Sequence, residues 1–326
     1  MQLRQLEAFS AVISVGSVTG AAKLLNRSQP AISRLIQDLE AEAGFALFER
    51  NGPRVTPTER AYQLYQEVER SLHGLTRIRQ RAAEIAAEKP APIHLMATTA
   101  LSATIVPLAL SLLQDTGLPD RIVVESASAE HVVQAVLSRG TDIGLATLPI
   151  EHRGIDLHWI GGAPCVAVLA ESDPLAQQER IALADLAGRR LITGINPYRL
   201  RGRIDYALAA AGIAPQQLME TNTSLNAIMA ARAGLGVALV EPATAYGLPL
   251  QGVVVRAIDT DIPFYFGLVT PGDKPLSPDL IRLVAALQQA SQMLLQNFEL
   301  LPAARHDELM QRIYQRTAAA TQPEAE

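Results

Sequence analysis

Apolar residues near the start of the chain recur at helical spacing in three successive groups: Leu3, Leu6, Phe9 and Ile13; Val18, Ala21, Ala22 and Leu25; and Ile32, Leu35, Ile36 and Leu39. Each group marks one face of a 3.6-residue period, so three short amphipathic helices are predicted around a common core. Almost nothing separates the second from the third. Asn26-Arg27 ends one helix, and Ser28 can cap the next as Ser17 caps the second. Pro30 falls in the first turn of the third helix, where a missing N–H costs little because that donor has no intrahelical partner. This is a helix-turn-helix pattern, with a plain helical hairpin in a globular core as the alternative.

Phe45 to Arg50 and Arg54-Val55 flank Asn51-Gly52, a tight-turn signal that predicts a β-hairpin wing. Pro53 limits the second arm to a short edge strand. Thr56 to Glu59 opens a long helix, capped from Thr56 or from Thr58. Within it Ala61, Leu64, Val68, Ser71, Leu75, Ile78, Ala82 and Ile85 alternate spacings of three and four. Such heptads favour pairing with a second subunit, against packing of the helix on its own domain. Lys89-Pro90-Ala91-Pro92 forms a hinge after it.

Beyond Pro92 short apolar runs alternate with helical patterns. Strands are predicted at Ile93 to Ala97, Arg121 to Glu125 and Asp142 to Ala146, with helices from about Ser102 and Glu130. A second series has strands at Cys165 to Leu169, Arg190 to Ile192, Met219 to Thr221 and Gly236 to Val240, with helices from about Tyr198 and Leu225. Gly252 to Ile258 and Phe264 to Val269 follow, then a helix from about Ser277 to Glu299. Parallel strands need crossover helices, so this order implies two α/β lobes with a cleft between them. The expected fold is an N-terminal all-α winged helix-turn-helix plus long linker helix, then a two-lobed α/β domain. Expected boundaries are residues 1 to 58 for the first domain, 59 to 89 for the linker helix and 90 to 300 for the lobes. Lobe 1 takes about 91 to 162 and 265 to 300, and lobe 2 about 163 to 264. Residues 301 to 326 form a C-terminal extension, expected to be partly disordered.

In the third helix the apolar face leaves Gln29, Pro30, Ser33, Arg34 and Gln37 outward. Gln can pair bidentately with adenine, Ser can donate or accept, and Arg can reach guanine or a phosphate. The N-terminal part of the second helix of such a pair is what enters the major groove of double-stranded DNA. Charge gives no help: the net charge is −5, and residues 1 to 60 hold seven Lys/Arg against six acids. A basic footprint must therefore come from placement. Asp38, Glu40 and Glu42 lie late in the helix, where they would point away from phosphates.

The single cysteine, Cys165, excludes an intrachain disulfide and a multi-cysteine zinc site, and the six histidines are scattered. No cofactor is expected. No long apolar run and no charged-then-apolar leader pattern occurs, so a cytoplasmic protein without membrane contact is expected.

Ligands of open α/β sheets sit beyond the carboxyl ends of the strands, against helix N-termini whose free N–H groups favour anions. Here those ends carry Thr98, Thr99, Ser102, Ser126, Ser128 and Thr147 in the first lobe, and Asn196, Tyr198, Asn222 and Thr223 in the second. A hydroxyl and amide collar of this kind suits a carboxylate or a zwitterion. Arg199, Arg201 and Arg203 lie nearby as candidate carboxylate partners, or as a solvated helix face. For each Ser or Thr alone, simple helix capping is the alternative.

With these segments laid out, the chain resembles the LysR-type transcriptional regulators over nearly its whole length. The resemblance rests on Leu3 to Phe9, Gly16 to Ala22, Ser28 to Ser33, Leu39-Glu40, Gly44, Leu47 to Arg50 and Pro57 to Glu59. Asp142 to Leu145 and Ala233 to Leu239 carry it more loosely in the second half. It implies an operator-binding winged helix-turn-helix, a linker helix that makes a homodimer, usually assembled to a tetramer, and a periplasmic-binding-protein-like domain that senses a small molecule. RNA polymerase is an implied partner. Carried over by position, Gln29, Pro30 and Ser33 face bases, while Ser28, Arg34, Arg50 and Arg54 contact phosphates. Pro53 departs from the basic residue many members carry, and Pro57 from their leucine. A likeness to the opine and basic-amino-acid catabolism branch is present.

The competing readings are a two-lobed α/β enzyme with a helical appendage and an exported solute-binding protein. The sequence has no Gly-x-Ser-x-Gly elbow and no phosphate-loop Gly-Lys-Ser/Thr, and Gly234-Leu235-Gly236 precedes a strand where a dinucleotide fingerprint would follow one.

Overall fold

The computed structural model describes residues 1–51, 54–86, 92–117, 121–150, 153–272, 275–311 and 313. The chain forms two compact units, Met1–Ala91 and Pro92–Glu326.

The first unit begins with α1 (Leu3–Val15), α2 (Val18–Leu24) and α3 (Gln29–Ala43). Ser17 Oγ accepts from the Gly20 amide at 3.1 Å and caps α2. A Cβ on Gly20 would stand 2.3 Å from Val15 Cγ1 and 2.7 Å from that capping oxygen, so only glycine lets α1 and α2 approach here. Asn26, at φ 53°, turns the chain between α2 and α3, and the Arg27 amide donates to Ala22 O at 2.9 Å. Ser28 occupies the cap position of α3 and Pro30 its first turn, but the Ser28 side chain makes no capping bond. The apolar stripes meet as expected. Phe9, Ile32, Leu39, Leu47 and Ala61 are fully buried, with Leu6, Ile13, Leu25 and Leu35 packed around them.

The wing is the antiparallel pair β1 (Phe48–Asn51) and β2 (Arg54–Pro57), in register from Phe48↔Pro57 to Asn51↔Arg54. Asn51 pairs with Arg54 at the end of the ladder; Gly52 and Pro53, part of the expected turn, lie outside the described residues. Then comes α4 (Glu59–Ala86), capped by Thr58, whose Oγ1 accepts from the Ala61 amide at 3.1 Å and donates to Ala46 O at 3.0 Å. Of the two possible caps Thr58 serves, which ties the linker helix to the loop before the wing. The heptad helix divides in two. Ala61, Leu64, Tyr65, Val68 and Leu72 pack on the helix-turn-helix core, and Phe9 meets Phe48 and Tyr65 edge-on at 5.8 and 6.2 Å. Farther along, Ile78 is 65% exposed.

The second unit opens with β3 (Ile93–Thr98), α5 (Thr99–Ala103), α6 (Ile105–Leu112), β4 (Ile122–Ala127), α7 (Ala129–Leu137), β5 (Ile143–Thr147) and β6 (Ile155–Pro164). The chain continues through β7 (Val166–Ala170), β8 (Arg180–Ile181), β9 (Arg190–Gly194), α8 (Leu200–Ala210), β10 (Gln217–Thr221), α9 (Ser224–Arg232), β11 (Val237–Val240), α10 (Pro242–Gly247) and β12 (Val253–Ile258). It returns by β13 (Pro263–Pro271), α11 (Pro278–Leu294) and β14 (Glu299–Pro302). The first lobe is built on a sheet ordered β14-β6-β13-β5-β3-β4, the second on β10-β9-β11-β7-β12-β8. β3, β4 and β5 are parallel, as are β9, β10 and β11; antiparallel β13, β6 and β14 complete the first sheet, while in the second β7 lies antiparallel between β11 and β12, and β8 pairs parallel with β12. β6 and β13 pair antiparallel from Ile155↔Pro271 to Pro164↔Pro263, carrying the chain out to the second lobe and back.

Several elements differ from expectation. The first helix of this unit starts at Thr99, not near Ser102, and breaks at Thr104 into α5 and α6. The last long helix stops at Leu294, and Glu299 runs instead in β14 beside β6. β14 crosses the boundary expected at residue 300, and Leu301, Leu309, Met310 and Ile313 are buried with Val132, Val136, Ile160 and Val269. These C-terminal residues are thus part of the first lobe. Residues 314–326, the stretch expected to be disordered, lie outside the described residues. Cys165 is buried in the second-lobe core, where loss of solvation pushes its thiol far up, so it is a structural residue. Gly236, at φ 152°, needs its missing side chain: a Cβ there would lie 2.4 Å from Arg190 O.

Candidate nucleic-acid interface and ligand cleft

Burial of Ile32, Ile36 and Leu39 fixes the rotation of α3, leaving Gln29, Pro30, Arg34 and Gln37 exposed and Ser33 half-buried. Ser28 is exposed at the head of the helix. Two of the three acids late in α3 are absorbed internally. Glu40 Oε1 accepts from the amides of Leu47 and Phe48 at 2.7 and 3.1 Å, pinning the entry to the wing. Glu42 is held by the N-terminal ammonium and by Gln5, and those hydrogen bonds keep its carboxyl below the usual range. Both carboxylates thus have partners within this unit, while Arg34 stands exposed near the start of α3. The side chains of Arg50 and Arg54 lie outside the described part of the structure; their backbones pair in the wing.

In the second unit a cavity of about 490 Å³ opens where the strand ends of the two lobes meet. Thr98, Thr99, Ser128 and Thr147 line it from the first lobe, and Asn196, Asn222 and Thr223 from the second. Ser128 Oγ and Thr223 Oγ1 cap α7 and α9, accepting from the amides of His131 and Asn226, each at 3.3 Å. Thr98 differs: its Oγ1 is buried and makes no hydrogen bond. Three expected residues do not line the cavity. Ser102 and Ser126 share a hydroxyl bond at 2.5 Å and so satisfy each other between α5 and β4. Tyr198, in the bend after Asn196, is 68% exposed.

The arginines are committed to different tasks. Arg199, at the start of α8, donates to the carbonyls of Thr147 and Pro149 and to Glu130 Oε1. Arg201 bonds Asp205, Glu220 and Thr193, while Arg203 is buried with its guanidinium 5.9 Å from the Tyr265 ring centroid and does not line the cavity. Glu130 lies on the cavity wall; burial is the largest single influence and pushes its carboxyl up, but the hydrogen bonds from Arg199, its own backbone amide and Ser128, with the charge of Arg199, together hold it below the usual range.

Sequence reasoning missed Glu130, Glu241 and Thr244 on this wall. Glu241 is 5% exposed at the end of β11. It caps α10, accepting from the Thr244 amide at 3.0 Å and from the Thr244 hydroxyl. Burial pushes its carboxyl above the ordinary range, against the hydrogen bonds of Thr244 and Ser224. Glutamate is not among the favoured capping residues, so only the following Pro242 signalled this helix start. Among the described residues no group of His, Cys, Asp and Glu side chains could hold a metal ion, and no helix is long and apolar enough to cross a membrane.

The family description "Bacterial regulatory helix-turn-helix protein, lysR family" matches residues 3–62, and "LysR substrate binding domain" matches residues 86–292. The regulatory protein NocR of Agrobacterium fabrum is 33% identical over 279 residues, 84% of this chain and 92% of that protein. The octopine catabolism/uptake operon regulatory protein OccR of Rhizobium meliloti is 32% identical over 75% of this chain and 81% of its own length. Among solved structures CbnR, a LysR family transcriptional regulator, superposes with a TM-score of 0.70 at 21% identity, covering 89% of this chain and 99% of that one. Full-length CbnR complexed with its target DNA gives 0.67 at 22% identity, covering 89% of this chain and 100% of that one. The relatives regulate transcription, and the enzyme reading falls with them. The two family models, matched over the helix-turn-helix and the two-lobed α/β domain, and the relatives at 32–33% identity place this chain in the LysR family of bacterial transcriptional regulators.

Proposed function

We propose that the chain reads a roughly palindromic operator with two copies of α3 and alters its grip when a small carboxylate or zwitterion enters the cleft of the second unit. Gln29, Pro30 and Ser33 face the bases, and Ser28, Arg34, Arg50 and Arg54 contact phosphates. The observation that carries the effector half is a 490 Å³ cavity between the strand ends of the two lobes, walled by Thr98, Thr99, Asn196, Asn222 and Thr223, at which α7 and α9 also begin. Free N–H groups at a helix start favour an anion, which supports a carboxylate there. The likeness to an octopine regulator supports an opine or a basic amino acid as the ligand.

The exposed half of α4 supports a homodimer, and membership of the family supports its further assembly to a tetramer that works in the cytoplasm and acts on transcription through RNA polymerase. Two reading helices then lie one DNA turn apart, or a multiple of it. The effector must bind the two arrangements of the assembly with different affinity, because equal affinity shifts nothing.

The test is a thermal-shift screen of the full chain against organic acids and amino acids, with operator binding followed in parallel by fluorescence anisotropy. A ligand bound only by the native state raises the melting temperature. The same compound is expected to change operator affinity. If Ser33→Ala and Arg34→Ala leave operator affinity and its salt dependence unchanged, the assignment of α3 as reader is wrong.

A further inference from the structure

We infer that Glu241 is the group that selects a positive charge on the effector, so that the ligand is a carboxylate carrying an ammonium or guanidinium group and not a plain carboxylic acid. This rests on the reading of the cleft as the effector site.

Glu241 lines the cavity yet is 5% exposed; Thr244 and Ser224 hydrogen-bond its carboxyl, and Arg203, the buried cation whose field meets that of Glu241 at Cys165, does not line the cavity. The two arginines on the same wall are engaged elsewhere, Arg199 with Glu130 and two backbone carbonyls, Arg201 with Asp205 and Glu220. Capping of α10 explains the hydrogen bonds from Thr244, but a serine, threonine or aspartate would cap as well. What capping does not explain is a longer acid placed against a cavity and away from water, on a wall whose two arginines are committed to other partners, which is an expensive arrangement. A cation delivered by the ligand supplies that countercharge where both partners are desolvated and the attraction is strongest. Burial favours the protonated acid in the empty cavity, and an adjacent cation reverses that preference. The same cavity is walled from the first lobe by Thr98, Thr99 and the start of α7 at Ser128 and Ala129. One molecule with a negative and a positive end can therefore meet both lobes, whereas a simple acid leaves Glu241 as it was.

The experiment uses the full chain and two probe sets, L-arginine, L-ornithine and L-norleucine against hexanoate and glutarate, by thermal shift and titration calorimetry. Binding is expected within the amino-acid set alone. Glu241→Gln, which keeps an acceptor for the Thr244 amide, is expected to weaken it roughly 30-fold or more, as loss of one partner of a buried charge pair does. The wild-type comparison stands without any variant, so the test survives if Glu241→Gln does not fold. Hexanoate or glutarate binding as tightly as the amino acids, or unchanged affinity in a folded Glu241→Gln protein, overturns the inference while leaving the effector cleft intact. No binding by either set overturns both.

Discussion

The Arg199 guanidinium donates to the carbonyl oxygen of Pro149 at 2.7 Å, joining the second lobe to the first along the wall of the cleft. Its side chain is 18% exposed, while Glu130, its ionic partner, is 57% exposed. The carbonyl bonds therefore carry most of the contribution, and the exposed ion pair little. Arg199→Gln is expected to destabilise the second unit by about 1–3 kcal/mol in urea unfolding. Glu130→Gln should change it by less than about 1 kcal/mol. Equal effects of the two substitutions would show that the ion pair, and not the carbonyls, holds the lobes.

Arg34 stands exposed on the first turns of α3 with Gln29 and Pro30. If it grips a phosphate, Arg34→Ala weakens binding about equally for all sequences and lowers the slope of log affinity against log salt by about 1. Anisotropy titrations with operator and scrambled duplexes at several salt concentrations measure both. A loss confined to the operator would assign Arg34 to a base instead.

Glu40 joins α3 to the wing through the amides of Leu47 and Phe48. Glu40→Ala leaves two donors without their partner and is expected to cost about 1–3 kcal/mol in the stability of the first unit. Operator affinity should fall with it, since the wing loses its anchor. Chemical denaturation of residues 1–86 gives the stability. A variant as stable as the parent would contradict the role given to this carboxylate.

Most of the first unit was legible in the sequence because each helix there buries a single stripe, and one stripe fixes both the period and the outward face. Ser17, Pro30 and Thr58 stand where local rules put them. The role of Glu40 was not legible, since its partners are backbone amides seven and eight residues away, which no side-chain pattern records. The expected sensor strands were read in order, but β6, β8 and β14 were not among them: the last helix was expected to run on to Glu299, β8 and β14 are too short to show a pattern, and Gly161 and Gly162 interrupt the apolar run of β6. Seven of the ten expected cleft residues line the cavity because strand ends are set by topology. Ser102 and Ser126 do not, because they satisfy each other across two elements. Glu241 escaped notice because an acid at the end of a buried strand looks like the edge of the protein until the surrounding lobe is built.

Ile78 projects from the half of α4 that leaves the helix-turn-helix core. Ile78→Glu is expected to weaken self-association, by placing a charge in the heptad seam, without unfolding the first unit. Sedimentation velocity across a dilution series reads the change. An unaltered association constant would place the subunit contact elsewhere.

Glu241 binds its proton more tightly in the folded protein than in the unfolded chain, because burial raises its pKa. Its contribution to stability is then greatest below the ordinary carboxylate range. That contribution declines as pH rises from this range through the raised value. Glu241→Gln removes the decline, so the melting-temperature difference between variant and wild type should grow in favour of the variant over that window. Parallel pH profiles would mean that the carboxyl is not perturbed.

The pairing of β6 with β13 sets an order of events during synthesis. The second lobe, from Val166 to Ile258, is one uninterrupted stretch of chain and has every strand of its sheet once Ile258 has left the ribosome. The first lobe emerges earlier but must wait for β13, β14 and the buried Leu309, Met310 and Ile313. A nascent chain truncated after Ile258 therefore carries a complete second lobe beside an unfinished first one, with the apolar face of β6 still uncovered.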